Sequence, residues 1–120
     1  MIYENEYIYI QKHEHELPWV KIFTKTPHKE FSDCDEVLRA EILRCVLVCE
    51  KALLEFYKPT KVNIASFGNE VPRVHFHVIA RFANDAYFPN TTWGAKLREH
   101  NVDLPDFEEF ASFLKDKLAK

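Results

Sequence analysis

The chain has 120 residues, 47 % of them hydrophobic, with 16 basic and 19 acidic side chains, two glycines and six prolines. That is one domain's worth of chain, able to bury roughly two-thirds of its unfolded surface, and the composition excludes a disordered or fibrous protein. A net charge of −3 excludes bulk nucleic-acid binding, so a phosphate ligand would have to be met by placed donors rather than by a general basic field.

The start, MIYENEYIYIQ, carries acidic residues where a signal peptide needs a basic start and an apolar run. No stretch approaches the ~18–20 apolar residues of a membrane span, so a soluble, cytoplasmic protein is expected. Tyrosine and isoleucine alternate with polar positions from Ile2 to Gln11, and Leu17 to Thr24 continues with Trp19, Val20, Ile22 and Phe23. Both segments read as strands. KHEHE lies between them, and its His13 and His15 have the spacing of a metal chelate. A solvated hairpin tip is the expectation, because charged residues alternate with the histidines.

Thr26-Pro27-His28-Lys29 breaks the strand pattern. Asp33 with Glu36 makes a capping-box-like start, and apolar residues then recur with helical spacing from Val37 through Leu53 to Phe56. A long helix ending near Tyr57 is predicted. Cys45 and Cys49 fall on its apolar face, and with Cys34 they make an odd number without CxxC spacing. Buried reduced thiols are expected, with neither a disulfide framework nor a four-cysteine zinc site.

Lys61 to Ala65 reads as a short strand leading through Ser66-Phe67-Gly68-Asn69 into Val71 to Phe82, VPRVHFHVIARF. Val74, Phe76 and Val78 alternate there with Arg73, His75 and His77, the period of a half-buried strand. Same-face neighbours lie about 6.5–7 Å apart, close enough for the three to converge on one tetrahedral anion. Gly68 allows a tight turn or positive φ that exposes amide donors beside the imidazoles; an ordinary hairpin glycine is the alternative. Residues 83–105 show little periodicity and read as an irregular connection with one short turn of helix at most. Phe107, Phe110, Leu114 and Leu118 then form the stripe of a terminal amphipathic helix, started by Asp103 and Pro105.

Imidazole is a competent nucleophile toward phosphorus near neutral pH, since much of it is uncharged there. A covalent phospho-histidine divides one hard displacement into two easier ones, with amides and positive charge stabilising the phosphate oxygens. Arg73 does not give up its proton, but it is expected to hold a phosphate oxygen and keep His75 uncharged. HxH on a strand is also a zinc-binding element; Asp85 and His100 would supply a third ligand only if residues 83–105 fold back. Surface histidines without a role are the remaining alternative.

VPRVHFHVIARF resembles the H-φ-H-φ-H-φ-φ motif of the histidine triad (HIT) family, and NIASFGNEVP resembles that family's approach strand and phosphate loop. The segment YFPNTTWG is similar to the bacterial branch of HIT-like diadenosine polyphosphate hydrolases. The resemblance spans most of the chain and implies one HIT-like α+β domain over residues 1–120: about five antiparallel strands, a long helix and a C-terminal helix, in a homodimer. It implies His75 as the nucleophile on the α-phosphorus of a nucleotide and His77 as its phosphate-contacting support. It places Asn63 near ribose or phosphate, Gly68, Asn69, Glu70 and Val71 in the phosphate loop, and apolar residues such as Ile22 along the base. No metal and no cofactor are implied; the partners are a nucleotide and a second copy, with neither nucleic acid nor membrane. Arg73 departs from the family pattern by replacing the first triad histidine, Glu70 stands where a small hydroxyl is common, and Lys25 and Pro27 blur the lysine-any-histidine segment. A non-catalytic nucleotide-binding or sensing module is therefore the alternative function.

Overall fold

A computed structural model describes residues 1–120. Its strands are β1 (Tyr3–Glu4), β2 (Ile8–Lys12), β3 (Trp19–Thr24), β4 (Lys61–Ala65) and β5 (His75–Arg81), joined antiparallel in the order β1-β2-β3-β5-β4. Two helices, α1 (Glu36–Tyr57) and α2 (Phe107–Leu118), pack on one face of this sheet. The expected α+β architecture is the one observed.

The predicted first strand is two strands. Asn5 Oδ1 accepts from the backbone N–H of Tyr7 and Ile8 at 2.8 and 3.1 Å, and this side-chain turn folds β1 back on β2. The capping expectation is displaced by two residues: Asp35 caps α1, its Oδ1 accepting from Leu38 N–H at 2.8 Å. Asp33 instead closes a short 3-10 turn with Glu30. At the other end Lys58 adopts φ 50° and its N–H reaches Leu54 O, and Pro59 prevents continuation. Asp106, rather than Asp103 and Pro105, caps α2.

Ile8, Ile10, Val20, Ile22, Val78 and Ala80 turn toward the helices and meet Ile42, Cys45, Cys49 and Leu53 of α1 and Phe110, Leu114 and Leu118 of α2. The three cysteines are free and buried, and burial pushes the Cys45 thiol up to about 12. They serve the core as small hydrophobes. With both helices on one side, the other face of the sheet is left for His75 and His77 and for a smaller cluster of Leu17, Trp19, Ile79, Ala86 and Tyr87. No helix is long and apolar enough to cross a membrane.

Candidate active site

Strand β5 begins at His75 rather than at Val71. Pro72 has no N–H for a ladder, Arg73 N–H turns back to Val71 O at 2.7 Å, and Val74 N–H is taken by His28 O at 2.7 Å. Residues 71–74 therefore belong to the loop, and the row expected of Arg73, His75 and His77 is reduced to the two histidines. The Arg73 guanidinium donates through Nη2 to Thr24 O at the end of β3 and lies 5.7 Å from the Phe23 ring. It does not line the cleft that holds the histidines.

That cleft has a volume of about 440 Å³. His75 and His77 form its floor, only 7 % and 8 % exposed, their ring centroids 5.0 Å apart. The segment Gly68 to Val71 forms one wall and brings Gly68, Asn69, Glu70 and Val71 to the histidines. Gly68 takes φ +66°, and a Cβ there would stand 3.4 Å from Arg73 O. The positive φ rather than open space requires glycine. Asn63 is not in this group: its Oδ1 accepts from Arg81 Nη1 at 2.8 Å, and it faces a second cleft on the β4 side.

The two imidazoles are held in opposite tautomers. His75 Nδ1 lies 2.9 Å from Arg73 O. A carbonyl only accepts, so Nδ1 carries a hydrogen, and in the neutral ring Nε2 then holds the lone pair. Trp19 Nε1 lies 3.0 Å from His77 Nδ1. An indole N–H only donates, so His77 Nδ1 is the acceptor and Nε2 carries the hydrogen. One neutral ring can thus accept at its Nε2 while its neighbour donates from its own. Burial foremost, then the neighbouring His75, His13 and Lys21, pushes the His77 pKa down to about 4. The His77 ring is neutral at pH 7. His75 is further fixed by stacking on Phe23, with centroids 4.8 Å apart and planes 15° from parallel.

Several site residues were not among those expected. His13 is half-buried with its ring 4.1 Å from Trp19, and it lines the cleft instead of a solvated tip. His15 turns away, its Nδ1 accepting from Leu17 N–H at 3.1 Å. Trp93 lies 5.0 Å from His77 and 4.8 Å from Phe67, closing the cleft from above. Its loop is anchored by a buried knot: Arg81 Nε and Nη2 reach Asp85 at 2.9 and 3.1 Å. Asp85 also accepts from the N–H groups of Phe82, Tyr87 and Phe88. Burial alone would raise the Asp85 carboxyl, but Arg81 and these amides outweigh it and hold it at about 2. The sequence signal was a strand arginine with an aspartate four residues on. Asp85 is thereby occupied and His100 lies 3.2 Å from Glu16, so neither joins the histidines, and no three His, Cys, Asp or Glu side chains are grouped as a metal would need.

The HIT domain family matches residues 1–84. A histidine triad protein of Bradyrhizobium japonicum is 30 % identical, with 98 % of this chain and 86 % of that one covered at a TM-score of 0.76. A histidine triad protein of Sinorhizobium meliloti is 22 % identical, covering 98 % and 85 % at 0.75. A hypothetical histidine triad nucleotide-binding protein of Sulfolobus tokodaii is 14 % identical, covering 98 % and 78 % at 0.60. No match was found among the curated proteins. The match over residues 1–84 spans well over half of the chain, which therefore belongs to the HIT domain family.

Proposed function

We propose that residues 1–120 act as one HIT-like unit that hydrolyses or transfers nucleotides, with His75 as the nucleophile. The observation that carries this is the pair of opposite tautomers. His75 Nε2 presents a lone pair to the α-phosphorus of a dinucleoside polyphosphate or nucleoside phosphoramidate. As the N–P bond forms, the P–O or P–N bond breaks with its electron pair going to the leaving group, and a nucleotidyl-histidine results. The leaving group departs as a phosphate anion or, after taking a proton from solvent, as an amine. His77 Nε2–H donates to a phosphate oxygen, and the amides of residues 68–71 surround the others. Water then attacks the same phosphorus, releasing nucleoside monophosphate and restoring the neutral ring.

Arg73 enters as a positioning residue. The first triad position holds His75 through its backbone carbonyl, while its side chain ties the loop to β3. Asn63 acts at one remove, through Arg81. The reaction requires no cofactor or metal from these residues. A homodimer is the assembly that fits best: β4 is an open sheet edge, and Ile64 lies on it with Leu43, Leu47 and Leu54 exposed along α1. We place the protein in the cytoplasm, where its free cysteines stay reduced.

Turnover of adenosine phosphoramidate and diadenosine polyphosphates should be measured with chelator present, wild type beside His75→Ala. Release of nucleoside monophosphate by wild type alone supports the proposal. Undiminished release by His75→Ala contradicts it. The second reading, a binding module without turnover, is favoured by the arginine at position 73, and nucleotide binding without release in either protein would establish it.

A further inference from the structure

Lys21 projects from β3 directly opposite His77 of β5, on the histidine face, where paired side chains have Cβ atoms about 5 Å apart. It is half-buried in the wall of the cleft. Its ammonium lies 5.7 Å from the Phe23 ring, yet Lys21 forms no ion pair, not even with Glu70, the cleft's one carboxylate. The His13 ring stands beside it on the same wall, and the proximity of Lys21 disfavours the charged form of both His13 and His77. An ammonium that lines the cleft beside two histidines with no carboxylate paired to it keeps its donors free for an anion.

The position decides which anion. His75, the group placed at the reacting phosphorus, pairs with Phe23, two residues along β3 from Lys21. Same-face residues two apart are separated by about 6.5–7 Å. With the oxygens of the reacting phosphate met by His77 and the loop in the reaction proposed above, the long Lys21 side chain is left to reach a group next to it.

We propose that Lys21, with His13 beside it, forms a second phosphate subsite, so that the ligand class is a nucleotide carrying at least two phosphate groups. This rests on the nucleotide-binding function proposed above and deepens it: between the two substrate classes named there, it selects the polyphosphates over the phosphoramidates. The alternative is that the Lys21 stem covers Phe23 while its head rests in water, and a substitution that keeps the stem separates the two.

Calorimetric binding of AMP, the α,β-methylene analogue of ADP, and adenosine 3′,5′-bisphosphate should be compared in wild type, Lys21→Met and Lys21→Arg. The result expected is that the α,β-methylene analogue of ADP binds wild type about tenfold more tightly than AMP, the size of one charge-assisted contact. That ratio should fall to within about twofold in Lys21→Met and return in Lys21→Arg. A gain shown by the 3′,5′-bisphosphate alone would put the second phosphate on the sugar and overturn the choice of polyphosphates. Equal ratios in wild type and Lys21→Met, or no preference for a second phosphate in wild type, overturn the subsite while leaving AMP binding standing. Failure of all three ligands to bind wild type overturns the nucleotide function and the subsite with it.

Discussion

The indole N–H of Trp19 donates to His77 Nδ1 at 3.0 Å across 58 residues of sequence, and this contact decides which nitrogen of His77 faces the cleft with a proton. An imidazolium carries hydrogen on both nitrogens and could not accept that bond. The contact therefore adds to burial in favouring the neutral ring.

Trp19→Phe keeps an aromatic ring and removes the donor. The His77 pKa should rise from about 4 toward the ordinary 6.5, as read by NMR titration of the ring. Loss of one hydrogen bond of about 1 kcal/mol, and with it the fixed tautomer, should lower kcat about tenfold with KM changed less. An unmoved His77 titration would show that the indole contributes packing alone.

Acid should weaken the fold in two windows. Between about 6.5 and 4 the unfolded chain binds a proton that folded His77 refuses, so the His77 contribution is full above 6.5 and is lost as pH falls through 4. Asp85, depressed from 3.8 to about 2, contributes fully above about 4, and its contribution is lost as pH falls through 2. Denaturant midpoints across pH 2–8 should fall on the acid side, and Trp19→Phe should flatten the upper window.

Asp85→Ala leaves Arg81 buried, 2 % exposed, without its carboxylate. Breaking one half of a buried ion pair costs about 3–5 kcal/mol. Urea unfolding should show a loss of that size. Because Asp85 also anchors the loop that carries Trp93 over His77, quenching of tryptophan fluorescence by acrylamide should increase even where the variant stays folded.

Gly68→Ala forces a left-handed φ on an L residue, at a cost of about 1–2 kcal/mol, and places a methyl group 3.4 Å from Arg73 O. That oxygen orients His75, so backbone strain carried along residues 68–73 should lower kcat by more than the stability loss predicts at temperatures where the variant is fully folded. Equal kcat in the two proteins would show that the loop holds Arg73 O in place without glycine at 68.

The parts of this arrangement legible in the sequence are those written in period. Alternation put His75 and His77 on one face, and helical spacing put Leu38 through Leu53 in the core. What escaped depends on side-chain contacts across the fold. Arg73 looked like the third member of a row, but Pro72 and the bond from Val74 to His28 O end the strand before it. Asn63, which the resemblance placed near ribose or phosphate, gives its oxygen to Arg81. His13 looked solvated because Glu14 and Lys12 flank it, whereas its ring finds Trp19. Asn5 broke the first strand through a bond to its own backbone neighbours, a choice that an apolar/polar pattern does not encode.

In the proposed reaction His75 Nε2 becomes covalently attached to phosphorus. Mixing the protein with a diadenosine polyphosphate, quenching within the first turnover and measuring intact mass tests it most directly. An added nucleotidyl group that maps to His75 and is absent from His75→Ala is the expected result. Turnover without any adduct, undiminished in His75→Ala, would contradict it.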